Sequence, residues 1–217
     1  DNGMRDVNKY QSMWDAANDT TAIYAETNKD YVNTLQRRFF RPPFIQPVRC
    51  KKVKIEGVKI INSPFWTVNP EFCDNVTIKG ITIDNAPSPN TDGVNPESCR
   101  NEHISDCHIS VGDDCITIKS GRDAQARRLG VPCENITITN CTMLSGHGGV
   151  VIGSEMSGSV RKVTISNCVF DGTDRGIRIK STRGRGGVVE DIRVSNVVMS
   201  NIKQEAVVLN LKYSKMP

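Results

Sequence analysis

The stretch Cys50-Lys51-Lys52-Val53-Lys54-Ile55-Glu56-Gly57-Val58-Lys59-Ile60 is answered, 23 residues on, by Cys73-Asp74-Asn75-Val76-Thr77-Ile78-Lys79-Gly80-Ile81-Thr82-Ile83. Further copies open at Cys99, Cys133, Val160 and Val189, so successive starts fall 23, 26, 34, 27 and 29 residues apart. Self-similarity at this period means stacked units that bury a core only together. In each copy, two short alternating segments flank one residue of a type that tolerates left-handed backbone: Gly57, Gly80, Asp106, Asn140, Asn167 and Asn196. One such residue bends a strand sharply without making a hairpin. The pairs Val76 and Ile78, Ile136 and Ile138, and Val163 and Ile165 put one face inward. Recurrence of the same positions from unit to unit predicts parallel stacking. The expected fold is all-β: a single-stranded, right-handed parallel β-helix, shortened at both ends. A leucine-rich repeat would need a Leu frame and a helical period, and the strands of an immunoglobulin-like sandwich do not repeat in sequence.

The repeat divides the chain into an N-terminal lead-in of loops over residues 1–45 and a β-helix over 46–217. Within the lead-in, Asp15-Ala16-Ala17-Asn18 and the segment 31–38 read as short helices or loops, ended by Arg41-Pro42-Pro43. Arg37, Arg38 and Arg41 with Phe39 and Phe40 form a basic and aromatic cluster, packed or facing substrate. The chain opens Asp1-Asn2-Gly3 without an initiator Met, which predicts a cleaved precursor or an excised fragment.

Composition excludes several classes. The chain is 37% hydrophobic and 24% charged, ordinary for a globular protein. It lacks the apolar run of about 18 residues that a membrane span needs. A net charge of +4 is mild and gives no reason to expect nucleic acid. Four Asn-x-Ser/Thr matches, at Asn18, Asn75, Asn135 and Asn140, read as chance products of Thr-rich strands. The eight cysteines fall on repeat positions: Cys50, Cys73, Cys99 and Cys133 on one, Cys107, Cys141 and Cys168 on another. Side chains running parallel up a stack do not readily reach disulfide dihedrals, so most are expected as small buried apolar groups. Cys-x-x-Cys spacing is missing, which argues against a zinc site, and no metal or other cofactor is expected.

The third strand of each rung collects polar residues that suit no core. In order these are Asn90-Thr91-Asp92-Gly93, Gly112-Asp113-Asp114, Gly146-His147-Gly148, Arg178-Ile179-Lys180 and the segment ending at Tyr213. Stacking brings Asp92, Asp113, Asp114, His147, Arg178 and Lys180 into one patch. Neighbouring residues on a flat strand point to opposite faces, so Asp113 and Asp114 share a side only through a kink, for which Gly112 is the expected device. Crowded carboxylates cannot all ionise easily, which keeps an acid protonated. One carboxyl donating to a leaving oxygen and another activating water is the chemistry of glycoside hydrolysis. Arg178 and Lys180, alternating outward, suit an anionic sugar.

The first four of these motifs, in this order on a β-helix repeat, resemble the signatures of the family 28 glycoside hydrolases, the polygalacturonases. The resemblance implies inverting hydrolysis of α-1,4-linked galacturonan in pectin by a secreted or periplasmic enzyme. It implies Asp113 as general acid, Asp92 and Asp114 activating water, His147 supporting the acid, and Asn90, Arg178, Lys180 and Tyr213 contacting substrate. A finer likeness, to bacterial exo-acting members, lies in Gly153-Ser154-Glu155-Met156-Ser157-Gly158 and Ser63-Pro64-Phe65-Trp66. The alternatives are a rhamnogalacturonan or other modified-pectin hydrolase, and a non-catalytic carbohydrate-binding β-helix. A pectate lyase would need calcium carboxylates, against which the ordered motifs argue. The arginines of the loop at 121–128 suit a polyanion or a solvated surface equally, Trp66 a sugar or a rung corner, and Arg183 and Arg185 a substrate contact or, more plainly, a mobile loop. His103 and His108 are expected to be structural or solvent-facing.

Overall fold

The computed structural model describes residues 41–213. The segments at 15–18 and 31–38, and Arg37, Arg38, Phe39 and Phe40, lie outside them.

The chain forms a parallel β-solenoid. Its larger sheet contains β1 (Lys51–Glu56), β2 (Lys59–Ile61), β3 (Asp74–Lys79), β4 (Thr82–Asp84), β5 (Arg100–Ser105), β6 (His108–Ser110), β8 (Cys133–Thr139), β9 (Thr142–Ser145), β11 (Val160–Asp171) and β13 (Val189–Ser200). The smaller sheet runs β14 (Val207–Asn210), β12 (Ile177–Lys180), β10 (Gly148–Ile152), β7 (Asp114–Ile118). Single parallel bridges from Ile45 to Val68, Val68 to Val94 and Val94 to Ile116 extend this sheet toward the N-terminus. The segments holding Trp66 and Asn90 therefore join their neighbours through isolated bridges at Val68 and Val94, and again at Glu71 and Glu97, not as full strands.

Register follows the sequence repeat. Lys51 pairs with Asp74, Asp74 with Arg100, Arg100 with Glu134, Cys133 with Val160 and Val160 with Val189. All six bend residues have left-handed φ, from 50° to 67°. A second such column stands beside it: Lys52, Asn75, Asn101, Asn135, Lys162 and Asp191, with φ from 53° to 63°. Its side chains link neighbouring rungs, Asn135 donating to Asn101 and Asn101 to Asp74. In β11 and β13 the bend falls inside one continuous strand, where earlier rungs break into two.

The interior is a set of aliphatic columns. Ile78, Ile104, Ile138 and Ile165 stack in register and are fully buried. Each such side chain contributes about 1.5–3 kcal/mol by leaving water. Seven cysteines are buried as expected, Cys50 is exposed, and all eight are free thiols. His103 and His108 are exposed on the outer face.

The longest rung carries α1 (Asp123–Leu129), closed by Gly130 in left-handed conformation. Arg127 donates to the carbonyls of Gly184 and Arg185, and Arg185 to that of Ser154. Arg185 is 5% exposed, so it is a buried tie between loops and not the mobile residue expected. Arg122, Arg128 and Arg183 remain exposed.

Candidate active site

Outward residues of the smaller sheet form the site floor. On β12, Ile177 and Ile179 pack toward the core, leaving Arg178 and Lys180 on the outer face. On β7, Ile116 and Ile118 point inward, so Thr117 and Lys119 point out; Asp114 faces out with them because alternation breaks at Cys115, which also packs in the core.

The register of the Val94 bridge brings Asp92 level with Asp114, and one oxygen from each of Asp92, Asp113 and Asp114 lies within 4.8 Å of the others. Asp113 sits in a bend just before β7. Gly112 allows this for a reason other than the expected one: its φ is not left-handed. Instead a Cβ there would lie 1.9 Å from the Ser88 carbonyl oxygen. The loop 85–92 crosses directly over Gly112, and Thr91 Oγ1 accepts the Gly112 N–H at 3.1 Å. That loop carries Asn90, which donates to Asp113 Oδ2 at 3.2 Å and accepts from Arg41 at 3.4 Å.

His147 Nδ1 lies 3.1 Å from Asp113 Oδ1. Lys180 Nζ reaches Asp114 Oδ2 at 2.5 Å, across the intervening β10. Gly148, paired with Asp114, puts no side chain in the way. Arg178 stands 4.0 Å from Asp114 Oδ1, which accepts no hydrogen bond among the described residues. Tyr213 covers both cations, with its ring 5.5 Å from the Arg178 guanidinium and 5.0 Å from Lys180 Nζ.

Two residues that motif reading left without a role complete the cluster. Lys119 Nζ is 3.0 Å from Glu155 and 3.9 Å from Asp92, over the Trp66 ring at 4.7 Å. Trp66 is thus a packing residue, stacked also on Phe65. The pairings of β10 put Lys119, Gly153 and Lys180 on one rung position, a repeat signal available in the sequence.

Burial pushes Asp92 well above the usual carboxylate range, helped by the charges of Asp113 and Asp114 against those of Lys119 and Lys180. Burial also works to raise Asp113, but the His147 hydrogen bond and charge outweigh it, with Lys180 and Lys119 assisting, and hold it low. His147 is raised by its hydrogen bond to Asp113, then by the charges of Asp113, Asp114 and Asp174. In the free site Asp92 is thus disposed to carry a proton and Asp113 to be ionised. The three carboxylates are spaced as cation ligands could be. The Lys180 ammonium already lies on Asp114, with Lys119 beside Asp92, and a divalent ion would be forced against both, so the donor set does not suit a metal.

The family model "Glycosyl hydrolases family 28" matches residues 27–217. The chain belongs to that family. It is 41% identical over 169 residues to a probable polygalacturonase of Vitis vinifera, covering 76% of this chain and 34% of that one. It is 35% identical to an endo-polygalacturonase of Pectobacterium carotovorum, over 98% of this chain and 48% of that one. Among solved structures, a hyperthermoactive exopolygalacturonase from Thermotoga maritima superposes with a TM-score of 0.78 at 46% identity, over 80% of this chain and 39% of that one. The chain thus spans between a third and a half of the length of these relatives.

Proposed function

We propose that this chain carries the active site of a polygalacturonase, hydrolysing α-1,4-galacturonosyl linkages in pectin. The observation that carries the reading is the cluster of three carboxylates within 4.8 Å, under two lysines and an arginine, on the outer face of a solenoid sheet. Of the three, Asp113 has the most exposed side chain, at 15% against 4% and 1% for Asp92 and Asp114. Asp113 delivers the proton to the glycosidic oxygen. The proton that Asp113 gives comes from within the cluster, passing from Asp92 to Asp113 as substrate binds. Asp92 and Asp114 together take the proton of the water that attacks the anomeric carbon. The Asp114 oxygen without a hydrogen-bond donor is the acceptor for that water. Arg178, with Lys180 and Tyr213 beside it, binds the substrate carboxylate, Asn90 contacts substrate while orienting Asp113, and His147 holds Asp113 in place. A polymeric substrate puts the work outside the cytoplasm, in a secreted or periplasmic protein. The identity with the Thermotoga exo-enzyme supports cleavage from a chain end.

One oxygen from each of the three carboxylates lies within 4.8 Å of the others, which makes the stereochemistry a question to test. Inverting glycosidases usually separate their carboxyl groups by about 6.5–9.5 Å and retaining ones by about 5–5.5 Å. The resemblance implies inversion, and two carboxylates gripping one water serve it at short range. Proton NMR of the first product from polygalacturonate tests this. The account expects saturated galacturonic acid released with the β-anomer first. An α-anomer would establish retention, and unsaturated products would establish a lyase.

A further inference from the structure

Lys119 is 3% exposed, a cation with both Glu155 and Asp92 beside it. Glu155 has the shorter contact. Its other oxygen accepts a hydrogen bond from Ser154 Oγ at 3.3 Å, so both carboxylate oxygens are held. Asp92 meets Thr117 Oγ1 at 3.3 Å on the side that faces Lys119.

We propose that Glu155 and Lys119 form a positioning pair for the aspartate cluster, in which Glu155 holds the Lys119 ammonium off Asp92 and so leaves Asp92 as the carboxyl that takes up the proton. This rests on the functional reading above only in what the proton is used for. The charged groups facing Asp92 are Asp113, Lys119, Asp114 and Lys180. Those facing Lys119 are Glu155, Asp92 and Asp114, and those facing Glu155 are Lys119 and Arg185. Glu155 is held far below the usual range: burial opposes its charge, but the Lys119 ammonium outweighs it. It is therefore an anion throughout the working pH range. Were Glu155 neutral, Lys119 would turn its charge on Asp92, and the proton would leave the cluster at lower pH.

The test is the titration of the Asp92 side chain, followed by carboxyl-carbon NMR in the intact chain. Glu155→Gln is isosteric and should lower the Asp92 midpoint by about one pH unit or more, while Lys119→Met should raise it. Glu155→Asp, which keeps the charge, should leave it near the starting value. With polygalacturonate, the alkaline limb of the pH–rate profile should move to lower pH in Glu155→Gln. An Asp92 midpoint that stays or rises in folded Glu155→Gln overturns the proposal. So does loss of folding in Glu155→Gln and Glu155→Asp alike, which would make the pair a packing device. A wild-type chain that titrates as stated but hydrolyses nothing would contradict only the assigned function.

Discussion

Glu102 is an acid where the repeat calls for an aliphatic side chain. It stands in register between Val76 and Ile136, fully buried, and neither of its oxygens has a hydrogen-bond partner among the described residues. Burial alone pushes its carboxyl up to about 8. The unfolded chain would titrate this group near the ordinary value of 4.5. The native state thus binds more protons than the unfolded one between those values, so stability falls as pH rises from about 4.5 to about 8 and is level above. At about 1.4 kcal/mol per pH unit, the loss is on the order of 5 kcal/mol. Urea unfolding across this range should show that decline in the wild type. Glu102→Val, which completes the column, should remove most of it and raise stability at the alkaline end. A wild-type midpoint indifferent to pH over the same range would refute this account of Glu102. The sequence did not mark Glu102, because strand alternation says which way a side chain points and not whether water follows it.

Among the elements, the bends were the most legible. Gly57, Gly80, Asp106, Asn140, Asn167 and Asn196 stood out because Gly, Asn and Asp tolerate left-handed backbone. The parallel column escaped notice because Lys52 and Lys162 occupy two of its positions, and lysine carries no such signal. The sequence suggests a hinge at Gly112 where its role is steric clearance, since nothing in the sequence shows that the 85–92 loop crosses it. That difference has a consequence. A hinge would accept alanine at ordinary φ, whereas a Cβ that close to the Ser88 backbone must displace the loop. Gly112→Ala should cost about 1–3 kcal/mol or more of stability. It should also cut hydrolysis more than tenfold by moving Asn90 and Asp92 away from Asp113 (on the functional reading above). Thermal unfolding and a rate measurement on the same preparation check both, and an alanine variant with unchanged melting would restore the hinge reading.

At the scale of the whole molecule, the solenoid explains why a site spread from residue 90 to residue 213 was partly visible in the sequence. Each sequence offset became a rung, and each third strand delivered its polar residues to one sheet face. Asp92, Asp113, Asp114, His147, Arg178 and Lys180 meet there because the pairing register preserves the repeat. Contacts that skip a rung were not visible. Lys180 grips Asp114 over Gly148, and Lys119 finds Glu155 on a loop outside the repeat. Such contacts depend on where a glycine leaves a gap and where an irregular loop turns, and periodicity encodes neither. The central claim is that the carboxylate cluster hydrolyses galacturonan with Asp113 as the acid. Its most direct test is the rate of reducing-end release from polygalacturonate by the wild-type chain and by Asp113→Asn, with circular dichroism to confirm the same fold. The account predicts hydrolysis by the wild type and a loss of about a hundredfold or more in the variant. Release that persists at the wild-type rate in Asp113→Asn would contradict it.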